Sequence, residues 1–109
     1  MVSISVKYSG NRFVEIKAKG HAYKGIYGKD IVCAAISSLM NSLHVGLANV
    51  MLKDPKTKAG DGELTIQMED RLTDPESDCV NFLVETILRS IEMIGKEYNL
   101  RVEIRRENV

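Results

Sequence analysis

Gly20-His-Ala-Tyr-Lys-Gly-Ile-Tyr-Gly-Lys-Asp-Ile-Val-Cys-Ala-Ala-Ile-Ser-Ser38 is a glycine-punctuated loop that turns into a helix. Gly20, Gly25 and Gly28 can take backbone angles closed to other residues, and an apolar run begins straight after Asp30. Asp30 is therefore the expected helix N-cap, which puts Cys33 in the first turn. There the unpaired N–H groups and the positive end of the macrodipole favour a thiolate over a thiol. His21 stands twelve residues before the cysteine, and a loop of that length can fold back to bring an imidazole to the sulfur. A Cys/His pair is the minimum for nucleophilic thiol chemistry.

On the N-terminal side, Val2, Ile4 and Val6 alternate with Ser3, Ser5 and Lys7, a half-buried strand that Tyr8 extends. Ser9-Gly10-Asn11-Arg12 is a turn signal. Phe13, Val14 and Ile16 then form a second strand, antiparallel to the first, which delivers the chain to Gly20 and His21 at a sheet end. On the C-terminal side, Ile31, Ala34, Ala35, Leu39, Leu43, Leu47 and Val50 recur at helical spacing from Asp30 to about Lys53. Gly46 marks a bend or a close packing contact, and Asp54-Pro55 ends the helix.

Lys53 to Gly62 reads as an exposed polar loop. Leu64, Ile66 and Met68 give a third strand. Thr73-Asp74-Pro75-Glu76 is a helix start, with Asp74 as N-cap and Pro75 at the first position. Val80, Leu83, Val84, Ile87, Leu88, Ile91 and Ile94 make the apolar face of that second helix, to about Gly95. Leu100, Val102 and Ile104 form a fourth strand. The order β-β-α-β-α-β predicts an α+β domain of two layers spanning residues 1–109, with both helices packed on one face of a mixed or antiparallel sheet. Phe82 and Met93 lie off the main stripe of the second helix, and a second copy of the chain is the simplest cover for them.

The totals bound the function. With 109 residues, 44% hydrophobic and 28% charged, the chain suits one globular core. Fifteen basic residues balance fifteen acidic ones, which argues against direct nucleic-acid binding. No apolar run is expected to span a membrane, and the N-terminus does not read as a signal peptide. Two cysteines do not make a disulfide framework, so both are expected as thiols in a reducing cytoplasm. Two histidines without CxxC or HxxxH spacing leave no metal site, and no cofactor motif is present.

Each candidate has a plainer reading beside the chemical one. A cysteine in Ile-Val-Cys-Ala-Ala-Ile can be a small core residue, and a loop histidine can face solvent. Asp30 can be only a cap, or can also position the histidine; it shares a helix face with Cys33. Ser37, one turn beyond the cysteine, can contact substrate or bond a backbone carbonyl. His44 reads as a surface or partly packed residue and Cys79 as packing. The lysines between 53 and 58 read as solubilising, and Arg101, Arg105 and Arg106 as a basic edge offset by Glu103 and Glu107.

Gly20-His21-Ala22 and the run Gly28-x-Asp30-Ile31-Val32-Cys33-Ala34-Ala35-Ile36-Ser37, at this separation, resemble the ribosomal-processing cysteine protease (Prp) family of bacteria. The resemblance covers essentially the whole chain. It implies an endopeptidase that removes a short N-terminal extension from a large-subunit ribosomal protein, with His21 and Cys33 as the catalytic pair and a homodimer as the assembly. In that frame Asp30 and Ser37 would have accessory roles. Gly20, Tyr23, Gly25, Tyr27 and Gly28 would belong to a substrate loop. Two other readings remain: a non-enzymatic ribosome-associated module, and a thiol redox protein with Cys79 as the resolving thiol.

Overall fold

The computed structural model describes residues 1–20, 29–60 and 62–109, with the backbone alone at Lys29 and Asp30. Among the described residues, five strands form one sheet: β1 (Val2–Ser9), β2 (Arg12–Lys19), β3 (Lys56–Gly60), β4 (Glu63–Gln67) and β5 (Val102–Asn108). Their order is β3-β4-β2-β1-β5. All neighbours are antiparallel except β1 and β5, which run parallel. Helices α1 (Lys29–Val45) and α2 (Asp74–Glu97) pack together over one face, as the two-layer expectation required.

The alternation in the sequence sets this layering. Val2, Ile4 and Val6 of β1, Phe13, Ile16 and Ala18 of β2, and Leu64 and Ile66 of β4 point to the helices and are buried. The opposite face is polar. There Lys7 pairs with Glu15, Lys17 and Lys19 both approach Glu63, and Gln67 Nε2 donates to Glu15 Oε1 at 2.8 Å.

Strand β3 corrects the sequence reading, which took residues 53–62 as a loop. Lys56-Thr57-Lys58-Ala59-Gly60 carries no large apolar residue, so it leaves no alternating signal, yet it pairs with β4 along its length. It is an edge strand, and lysines there guard against pairing with other chains. These lysines are more than solubilising: Lys56 pairs with Glu69 at 3.2 Å and Lys53 with Glu76 at 2.9 Å.

The first helix also departs from expectation. Its buried stripe is Val32, Ile36, Met40, Leu43 and Leu47, whereas Ile31 is 60% exposed and Ala34 is exposed too. The stripe read from Ile31 and Ala34 is thus rotated to the solvent side. Residues 46–50 form a π-helical turn, Gly46–Val50, whose larger number of residues per turn carries Val50 out of the stripe. Gly46 is there for contact: a Cβ would meet Leu83 Cδ2 of α2 at 2.6 Å. Counting the turn, Ile31–Val50 is long and apolar enough to cross a membrane by length and composition, contrary to the sequence reading. Its inner stripe is instead part of the core.

Helix α2 starts one residue earlier than predicted. Thr73, not Asp74, is the N-cap. Its Oγ1 accepts from the Glu76 N–H, and the Glu76 carboxylate accepts from the Thr73 N–H at 2.9 Å, a reciprocal capping box. That second bond, with Lys53 next, holds the Glu76 carboxyl below the usual carboxylate range. Thr73→Ala is expected to lower stability by about 1 kcal/mol at neutral pH, read from a urea midpoint. The contribution of Glu76 is complete above its unfolded-state pKa and fades as pH falls through the lowered folded-state value. Wild type and Glu76→Gln should therefore converge in strong acid. Cys79, expected as packing, lies on the outer side of α2 and is exposed.

Candidate active site

Gly20 ends β2 where three strand ends meet. Its N–H donates to the Gly62 carbonyl at 3.1 Å, just before β4. Its φ is +87°, and a Cβ there would lie 2.5 Å from the Met1 carbonyl oxygen. Only glycine meets both conditions. Gly20→Ala is expected to destabilise the fold by about 1–3 kcal/mol, and differential scanning calorimetry would show it. Sequence reasoning gave Gly20 to the loop. It missed that Met1 and Gly62 hold it, because contacts so distant in the chain leave no local pattern.

The contacts of the two helices fix which end of the molecule Cys33 occupies. Near the C-terminal end of α1, Gly46 packs on Leu83 and Lys53 pairs with Glu76, both early in α2. The helices are therefore antiparallel. Thirteen residues back from Gly46 is Cys33, about 20 Å along the axis. Twelve residues forward from Leu83 is Gly95, about 18 Å along α2. Gly95 lies against Leu100 and Val102, next to the point where the Val2 N–H donates to the Arg101 carbonyl. Cys33 and Gly20 thus share the end of the molecule that holds the start of β1.

The helical period fixes the side. At 100° per residue, Cys33, Ser37 and His44 fall within about 40° of one another around α1. His44 Nδ1 lies 2.7 Å from Thr57 Oγ1 of β3, so this flank faces the β3–β4 side of the sheet. Gly62, the partner of Gly20, belongs to that side. Cys33 is buried, at 8% exposure. Ser37 is half-buried on the same flank.

Two sequence expectations change here. Lys29 is already helical, so Asp30 lies inside the first turn instead of capping it. An acidic residue there still complements the macrodipole. Cys33 is then the fifth residue of the helix, past the four unpaired N–H groups, so its own N–H is not an orphan donor. Its side chain compensates, because a helical Cα–Cβ bond tilts toward the N-terminus and sets the thiol over the opening turn. The side chain of Asp30, and all of His21, Tyr23, Gly25, Tyr27 and Gly28, lie outside the described residues.

Residues 1–103 match the family model described as "Cysteine protease Prp". The chain belongs to this family. The Prp cysteine proteases supply the activity class as well: the chain is a cysteine protease, an enzyme of the kind the Cys33 loop-and-helix pattern led us to expect. The ribosomal processing cysteine protease Prp of Staphylococcus aureus strain Mu50 is 27% identical over 103 residues, covering 94% of each chain. Two solved structures share the fold. A Prp from S. aureus in complex with a substrate peptide superposes with a TM-score of 0.74 at 23% identity, covering 97% of this chain and 99% of that one. Prp from the same organism with a covalently linked product peptide gives 0.73 at 24%, with the same coverage.

Proposed function

We propose that this chain is an endopeptidase that removes the N-terminal extension of a large-subunit ribosomal protein, with Cys33 as nucleophile and His21 as its base. The observation that carries the reading is the shared location of Cys33 and Gly20. The thiol overlies the start of α1, and the strand that leads to His21 ends at the same corner of the sheet. The relative's name supports the ribosomal substrate.

In this reading His21 accepts the thiol proton and the Cys33 sulfur attacks the scissile carbonyl carbon. The carbon–nitrogen bond then breaks, and the imidazolium gives its proton to the departing amine. A thioester to Cys33 remains. Water, deprotonated by His21, releases the acid and restores the thiol. Donors for the oxyanion would come from the unpaired N–H groups before Cys33, since its own is paired within the helix. Asp30 and Ser37 act by positioning, and Gly20, Tyr23, Gly25, Tyr27 and Gly28 form the loop that takes the extended peptide.

The setting follows from the same chemistry. Cys79 is an exposed thiol, which suits the reducing cytoplasm where ribosomes assemble. Equal numbers of acidic and basic residues suit a protein partner over nucleic acid. A homodimer is the remaining part of the reading, supported by Phe82 and Met93, both exposed on α2. The direct test is incubation with the extended ribosomal protein and mass analysis of protease and products. One defined cut, with a transient acyl adduct on the peptide containing Cys33, is expected. Hydrolysis without an adduct at Cys33, or no hydrolysis, would overturn the assignment.

A further inference from the structure

Among the described residues no helix covers the polar face of the sheet, and the strand registers sort its charges into rows. Lys58 of β3 stands beside Thr65 of β4, and Thr65 beside Lys17 of β2. Lys17 in turn stands beside Ser5 of β1, and Ser5 beside Arg105 of β5. This row crosses all five strands without a carboxylate. The rows on either side are mixed, with Glu63 next to Lys19 in one and Glu15 next to Lys7 in the other. At about 4.8 Å per strand, the three cations stand about 10 Å apart and span about 19 Å.

The groups of the row are open to a ligand. Lys58 and Arg105 are exposed and make no ion pair among the described residues. Lys17 shares the Glu63 carboxylate with Lys19, each nitrogen 3.7 Å from an oxygen, so one negative charge serves two cations. Lys17, Ser5 and Arg105 line one shallow cleft, and Lys58 and Thr65 line another. The balanced total, which taken alone speaks against nucleic acid, conceals an uneven distribution. Helix α2, in the other layer, holds six carboxylates against Arg89 and Lys96. The negative excess lies with the helices and the positive row on the open sheet face.

We propose that this face binds the phosphate backbone of RNA, with Lys58, Lys17 and Arg105 on phosphate oxygens and the Thr65 and Ser5 hydroxyls donating between them. Every side chain in the row donates hydrogen bonds and three carry positive charge, which is what phosphate contacts use. A protein partner would need apolar or aromatic anchors. The side chains in this row and the two beside it are Lys, Arg, Glu, Gln, Ser and Thr, and supply none. Without rings to stack on bases, the face reads charge and not sequence. Contact with phosphate rests on the row itself; the choice of RNA rests on the ribosomal substrate proposed above. Lys17 lies three residues before Gly20, about 10 Å along β2 from the corner of the proposed site. Bound this way, the protease would be held beside a substrate already assembled on RNA.

Fluorescence anisotropy of a labelled single-stranded RNA about 12 nucleotides long, titrated with the full chain at several salt concentrations, tests this. Binding is expected with Kd on the order of 10⁻⁵ M at low salt, and log K should fall against log salt with a slope of about −2, the value for three phosphate contacts. Lys58→Gln and Lys17→Gln should each flatten that slope by about 0.7, while Lys58→Arg and, on α2, Lys96→Gln should keep it. Absence of binding, or slopes unchanged in both glutamine variants, would overturn the proposal, as would an equal effect of Lys96→Gln. Single-stranded DNA of the same sequence should bind no tighter; tighter binding would overturn the choice of RNA. Polyglutamate that bound as tightly as the RNA would replace it with an acidic protein. Because anisotropy reads binding without cleavage, failure here leaves the Cys33 assignment standing, and failure at Cys33 leaves the phosphate contacts standing.

Discussion

Replacing Cys33 with alanine is expected to lower kcat/KM for the extended substrate by about 10⁴-fold or more, with the fold retained. The size follows from chemistry: without the sulfur no thioester forms, and what survives is binding and oxyanion stabilisation. Retention of the fold follows from the small size of the change, the loss of one sulfur atom from a buried site. Cys33→Ser, which keeps the volume, should be nearly as inactive and separates chemistry from packing. His21→Ala should also lose most of its activity, with the loss in kcat more than in KM. All variants are best built with Cys79→Ser, since Cys79 is exposed and would otherwise report in any thiol assay. Cleavage by Cys33→Ala within tenfold of wild type would place the nucleophile elsewhere.

The largest stability effect is expected far from that thiol. Phe13 is completely buried at the start of β2, where its partner Tyr8 adjoins an irregularity in the β1–β2 register. Phe13→Ala removes a full ring from a close-packed site and should cost about 3–5 kcal/mol. Domains of this size hold about 5–15 kcal/mol in all, so the variant would be near its limit. Phe13→Leu keeps most of the volume and should cost under about 2 kcal/mol. Urea midpoints that fall in this order, at unchanged slope, would support the packing account. Equal midpoints for wild type and Phe13→Ala would contradict it.

These two residues show what a sequence discloses and what it withholds. Phe13 was legible as a strand residue but not as an inner one: alternation from Ile16 and Ala18 points to Val14, and the irregularity beside Tyr8 turns Phe13 to the core instead. The helix start ahead of Cys33 was legible because glycines, an acidic residue and an apolar run follow one another in local order. Strand β3 was not, since Lys56, Thr57 and Lys58 owe their conformation to β4 and not to their own preference. The cap of α2 was assigned to Asp74, although the Thr73–Glu76 spacing was present in the sequence; both residues are common caps, and the reciprocal bonds decide between them. The register of the α1 stripe could not be read locally, because Ile31 is as apolar as Val32 and only the packing against α2 and the sheet chooses between them. His21 and the rest of the 21–28 segment were assigned by pattern and family likeness alone.

The parallel course of β1 and β5 has a practical side. Met1 lies against Gly20, while Val109, at the far end of β5, bonds to Tyr8 at the opposite end of β1. The two termini therefore leave the sheet at opposite ends. A purification tag fused ahead of Met1 would leave the sheet beside Gly20, at the corner where the proposed site lies. The same tag placed after Val109 would trail away from it. For assays of this protein, the choice of terminus for the tag is a choice about whether the proposed site stays open.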